Sequence, residues 1–179
     1  AAAAPSADQA AQGEAVLTQA FEVRTIQNSL RNAVVDAALL AGVKLASPPE
    51  SIAREAVAKR DYRQLASHGI NTVLETTLTK AGTEGFGINA PSTAYMQVHV
   101  RLIDTSSNIE RFATDYTYQG RRLDLAEWSA NQAKPLSEEL DKGYRTLGTH
   151  IAESIFQLYP YPDRDRHSAG EMMSSAFGV

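Results

Sequence analysis

Apolar residues recur every three or four positions between Glu14 and Gly42, at Val16, Ala20, Val23, Ile26, Leu30, Val34, Ala37 and Ala41. That spacing draws one stripe along a helix, and Gly42 supplies its C-terminal stop. Leu17, Gln19, Phe21 and Val23 also share strand parity. Glu14 to Val23 is therefore open to a strand reading, with helix the favoured one. Val43 to Ala46 has room only for an edge strand. Ser47-Pro48-Pro49-Glu50 has the order of an N-cap, early prolines and a closing glutamate, and the helix it opens turns Ile52, Ala53, Ala56 and Val57 inward. Asp61-Tyr62-Arg63-Gln64 offers a second cap, which predicts a break before Leu65 and an end at Gly69.

The period then falls to two. Ile70 to Lys80 is rich in threonine and β-branched residues, which suit a half-buried pleated surface. Tyr95 to Asp104 alternates cleanly, with Met96, Val98, Val100 and Leu102 on one face and Gln97, His99 and Arg101 on the other. Arg111 to Gln119 places Phe112, Thr114, Tyr116 and Tyr118 together. Asp104 to Asn108 has the length of a hairpin turn, so the strands form an antiparallel meander. Gly120 to Lys134 holds a short helix with Leu125 and Trp128, capped by Asp124 and Glu127. From Pro135 the seam Leu136, Leu140, Tyr144, Leu147, Ile151, Ile155 and Leu158 defines a long helix that ends before Pro160. Gly143 and Gly148 interrupt it. Each costs roughly 1 kcal/mol relative to alanine, so they mark close packing on a neighbour.

The expected fold is α+β: a three- to four-stranded antiparallel meander with amphipathic helices packed on one face. Residues 14–160 form its single domain. Residues 1–13, crowded with alanine, read as a flexible tether or as a remnant of processing or cloning. Residues 161–179 read as a C-terminal tail, and one of the two ends is expected to pack on something, such as a neighbouring subunit. With 43% hydrophobic and 21% charged residues the chain is an ordinary globular one. Its net charge of −4 sets up no positive field for nucleic acid. The absence of cysteine removes thiolate metal sites and cysteine nucleophiles.

Candidate chemistry is sparse. Gly82-Thr83-Glu84-Gly85-Phe86-Gly87 leads into a strand and not into a helix N-terminus, so it reads as a hairpin loop and not a phosphate cradle. Phe86 and Ile88 are its apolar tip, suited to protein contact. His68, His99 and His150 stand apart in the pattern and predict no metal centre, and His167 lies in the tail. Glu138 and Glu139 read as solvated helix face. No motif for a nucleophile occurs, and neither an enzyme nor a cofactor is expected. Arg111, Phe112, Tyr116, Tyr118, Arg121 and Arg122 interleave bases and aromatics on a strand, as stacking platforms do. The competing reading buries the aromatics and solvates the arginines, and the net charge favours it.

Two stretches carry a family resemblance. Arg63-Gln64-Leu65-Ala66-Ser67-His68-Gly69-Ile70-Asn71-Thr72-Val73-Leu74 is similar to the leucine-alanine, glycine, strand step of one class of bacterial envelope domains. Val98-His99-Val100-Arg101-Leu102-Ile103-Asp104-Thr105, followed by Ile109 and the strand to Tyr118, resembles their central hairpin. The class includes curli-secretion-channel lipoproteins, activators of penicillin-binding proteins, flagellar H- and T-ring proteins and the N-terminal domain of the Tol–Pal propeller protein. The likeness spans residues 24–158. It departs at the start, where those domains open with a buried strand. It implies a non-enzymatic periplasmic adaptor or scaffold, tethered to the outer membrane by an upstream lipid anchor. Its partners would be envelope proteins or copies of itself, through a sheet edge, the loop or the tails. An auxiliary lipoprotein of an ABC-type exporter is the alternative; it would lack the middle helix read at Pro48 to Ser67.

Overall fold

A computed structural model describes residues 7–23, 26–46, 48–85 and 90–158. The elements run α1 (Ala7–Val23), α2 (Ile26–Leu40), α3 (Glu50–Lys59), α4 (Arg63–Ala66), β1 (Thr72–Glu84), β2 (Ser92–Asp104), β3 (Ile109–Leu123) and α5 (Leu125–Leu158). The α+β class and the antiparallel meander expected from the periodicity are what forms. The sheet has three strands in the order β1-β2-β3.

The stripe from Glu14 to Gly42 is divided between two helices. Glu14 to Val23 is helical, and α1 begins at Ala7, inside the stretch read as a tether. Residues 1–6 and the tail at 161–179 lie outside the described residues. Leu30, Val34 and Ala38 are the buried stripe of α2. Gly42 stops it as expected: at φ +77 its N–H donates to Leu39 O, and Val43 N–H reaches Ala38 O. Those bonds satisfy carbonyls that the helix end would otherwise orphan. Residues 43–46 form no strand.

Ser47 lies outside the described residues. Pro49 occupies the N-cap of α3 and makes no side-chain cap bond. The break expected at Asp61 is present. Arg60 turns left-handed at φ 50, and Arg60 N–H and Asp61 N–H close the helix on Val57 O and Ala56 O. Asp61 Oδ1 then accepts from Arg63 N–H at 3.1 Å and from Arg63 Nε at 2.9 Å. Those hydrogen bonds hold the Asp61 carboxyl down at about 2.

Strand parity places the core. Ala94, Met96, Val98, Val100 and Leu102 are buried, while Tyr95, Gln97, His99 and Arg101 between them are half-exposed. The buried set joins Leu74, Leu78, Phe112, Tyr116 and Tyr118 from the outer strands beneath Leu30 and Val34 of α2 and the Leu136-to-Ile155 seam of α5. A second, smaller cluster lies at one end of the opposite face. There Ala56, Tyr62 and Leu65, from the α3–α4 corner, and Ile70 pack on Ile103, with Val73 alongside. One-sided covering thus describes α1, α2 and α5, and the short α3–α4 pair adds to it from the other side. Asn108, in the β2–β3 turn, pins that pair: its Oδ1 accepts from Tyr62 N–H at 2.9 Å and its Nδ2 donates to Arg60 O at 3.1 Å.

Both interrupting glycines sit where backbones or rings close in. A Cβ on Gly148 would stand 2.6 Å from Ala33 O of α2, and one on Gly143 would stand 2.0 Å from Met96 Cε and 2.8 Å from Tyr118 Cδ1. The capping box at the start of α5 is also formed, with Glu127 N–H donating to Asp124 Oδ1 at 2.8 Å and Asp124 N–H to Glu127 Oε2 at 3.0 Å. Between the short and long parts of α5 the chain leaves helical geometry at Ala130–Ala133, with Asn131, Gln132 and Ala133 all at positive φ. Three successive non-glycine residues in that region are costly. Burial of Ala133 and Leu136 around the turn holds them there.

Candidate functional site

Of the residues singled out from the sequence, those that are described, Tyr116, Tyr118, Arg121 and Arg122, do not share one exposed surface. Phe86 and Ile88 lie outside the described residues. Tyr116 is half-buried and Tyr118 is 8% exposed, both packed against the core under α5. The Tyr118 hydroxyl donates to Glu139 Oε1 at 2.6 Å. Burial first, and then that carboxylate, push the phenol well above the ordinary tyrosine range. A ring so placed offers no face to a nucleobase, so the stacking platform is not there. Phe112 is likewise half-buried and packs on the same core. Arg111 stands exposed, 3.5 Å from Asp104 Oδ2.

Arg121 and Arg122 are adjacent in sequence and part to opposite sides of the strand. β3 carries an extra residue against Thr93 and Tyr95, which resets the parity there. Arg121 turns to the helices: its Nε lies 3.1 Å from Glu139 Oε2 and its guanidinium stacks 5.8 Å from the Trp128 ring centroid. Arg122 turns away, donates to Pro91 O at 3.0 Å, and lines a surface groove of about 180 Å³ with Glu84, Gly85, Thr93, Tyr95 and Gln119.

Glu139 corrects the sequence reading. Its neighbour Glu138 is exposed, whereas Glu139 is 4% exposed, accepting from Tyr118 and, at 3.3 Å, from Arg121 N–H. It sits three residues after Leu136, on the buried seam. That spacing was the available signal, overridden by the expectation that paired glutamates face water.

The opposite face of the sheet is polar and cross-braced. Arg101 bridges Glu75 at 2.8 Å and Glu110 at 2.6 Å, and the Tyr62 hydroxyl donates to Glu75. The Glu110 hydrogen bond leads in raising the Arg101 guanidinium further above its ordinary value. His99 Nδ1 meets Asp115 Oδ1 at 2.8 Å. His68 and His150 are exposed. Among the described residues no three His, Cys, Asp or Glu side chains gather as a metal site.

The two sheet edges differ. From α2, Gln27 Nε2 donates to Thr76 O at 2.7 Å and Gln27 Oε1 accepts from Leu78 N–H at 2.9 Å. One side-chain amide thus takes the place of a neighbouring strand at the middle of β1. The outer edge of β3 between Ala113 and Gln119 meets no such plug among the described residues. Sequence reading had no signal for Gln27, which reaches β1 across 49 residues.

The segment read as a middle helix is present as α3 and α4. Among the described residues no helix is long and apolar enough to cross a membrane. No family model matches the sequence, and no curated protein matches it. Among solved structures, the lipoprotein GNA1162 from Neisseria meningitidis is similar at 17% identity and a TM-score of 0.37, over 72% of this chain and 84% of that one. A likeness that loose carries no argument about function.

Proposed function

We propose that this chain is a non-enzymatic periplasmic adaptor or scaffold subunit of a multi-protein envelope assembly, held at the outer membrane by a lipid tether. One observation carries the reading: a three-stranded sheet braced on both faces, with its β1 edge plugged by Gln27 at Thr76 and Leu78 and, among the described residues, no such plug on its β3 edge between Ala113 and Gln119. An unprotected edge is a template for pairing, and folded proteins normally blunt one that has no use. The similarity of Arg63–Leu74 and Val98–Tyr118 to envelope adaptor domains supports the same reading.

Fractionation of cells expressing the native gene tests it. The expected result is co-sedimentation with outer membrane, release by detergent but not by high salt, and migration on native gels above the size of one chain. A cytosolic, freely soluble monomer overturns it.

A further inference from the structure

We propose that the polar face of the sheet carries, at the end away from the α3–α4 pair, a binding site for one pyranose unit of a neutral glycan. The site is independent of the adaptor reading.

Strand register builds it from two neighbouring rows: Glu84, Thr93 and Arg122, and beside them Gly82, Tyr95 and Gln119. Neither charge reaches this face by simple alternation. Parity counted from Leu74 and Leu78 would send Glu84 to the core face, and parity counted from Tyr116 and Tyr118 would send Arg122 there. An extra residue in β1 between Leu78 and Lys80 turns Glu84 over, and the extra residue in β3 past Gln119 turns Arg122 over. Bulges re-aim side chains in this way beside functional sites. The two outer strands thus deliver an acid and a base to one row, their backbones about 10 Å apart across β2.

Thr93 between them is short, which leaves a hollow. Beside it the phenol of Tyr95 leans over Gly82, where an added Cβ would stand 3.5 Å from Cε1 and 3.6 Å from the hydroxyl. The half-exposed ring so laid down lines the groove of about 180 Å³ with Glu84, Thr93, Gln119 and Arg122. An enclosed cavity of about 150 Å³ holds benzene, so one six-membered ring is the size that fits. Arg122 is steadied by its bond to Pro91 O at 3.0 Å.

The lining selects the chemistry. Glu84 accepts hydrogen bonds, Arg122 donates them, and Gln119 and Thr93 do both. A ring of hydroxyls, each donor and acceptor, answers that set, while the C–H face of the same sugar meets the Tyr95 ring as apolar surface. Glu84 and Arg122 cancel in charge. Lys80, the next charge along that face of β1, stands in register with Gln97 a row further on, outside the lining. The groove therefore recruits no ion of either sign.

NMR titration of the isotope-labelled full chain tests this, with the methyl glycosides of glucose, galactose, mannose and N-acetylglucosamine as probes and triglycine as a zwitterionic control. At least one glycoside is expected to shift the amides of Glu84, Tyr95, Gln119 and Arg122 saturably, and equally at low and high salt. Y95A should weaken that binding about tenfold through the loss of the stacked ring, with Y95F close to the native chain. T93F fills the hollow without removing a charge and should abolish binding; an unchanged spectrum elsewhere shows that the variants fold. Glycosides that leave those amides unmoved overturn the proposal, as does binding that survives T93F. Triglycine binding in their place, lost in high salt, overturns it in favour of a short peptide.

Discussion

The two faces of the sheet are built from the same strands, one residue out of step, and are held by different physics. On the helix-covered face Met96, Val98 and Val100 are fully buried beneath α5, and glycines let the backbones approach to contact. Stabilisation there comes from apolar area and packing density. On the other face Arg101 forms ion pairs with Glu75 and Glu110, and His99 lies in hydrogen-bond contact with Asp115, all in partial contact with water, where each pair gains little. The first face fixes the fold. The second seats the α3–α4 pair on a small apolar cluster at one end, and beyond that cluster it is a polar surface.

The contrast can be broken most directly at Leu147, which is 1% exposed. Leu147→Ala is expected to lose about 2–5 kcal/mol in urea unfolding, the range for a buried leucine cavity. Gly148→Ala comes next. Alanine is the better helix former by roughly 1 kcal/mol, yet its Cβ meets the Ala33 carbonyl, backbone that cannot swing aside. Overpacking of about 1–3 kcal/mol should win, and melting would show a net loss. Glu139→Ala tests the carboxylate buried on that face. It strands the Tyr118 hydroxyl and should cost about 1–3 kcal/mol in urea unfolding, whereas Glu139→Gln keeps an acceptor and should cost less.

Tyr118 sharpens the comparison through pH. Its folded pKa is raised above the ordinary 10.0, so its neutral form favours the native state. The contribution is whole below about pH 10 and drains away as pH rises beyond it. Stability measured against pH should fall above 10, and Tyr118→Phe should flatten that slope. The smallest effect is expected at Arg101→Ala on the polar face, within about 1 kcal/mol despite the loss of two salt bridges. A larger loss in urea unfolding would show that the second face is structural after all.

Much of this was legible in the chain. The period-two alternation from Tyr95 to Asp104 located the core face of β2, because every alternate residue is apolar. Gly143 and Gly148 announced themselves as poor helix formers inside a strong helical seam. Pro135 marked where the long part of α5 begins. Parity also grouped Tyr116 and Tyr118 correctly, but pattern alone did not say which side the helices would cover. Glu139 was misread because an acidic residue beside another acidic residue looks solvated; only the tertiary approach of β3 supplies its donors. Gln27 was illegible for the same reason, since its partners on β1 exist only once α2 has docked.

That glutamine also closes a seam that the strand backbone would leave as a template. With Thr76 O and Leu78 N–H engaged, two groups at the middle of the β1 margin are withheld from any incoming strand. A single amide thus acts as a stopper, sealing the centre of that margin at the moment α2 docks.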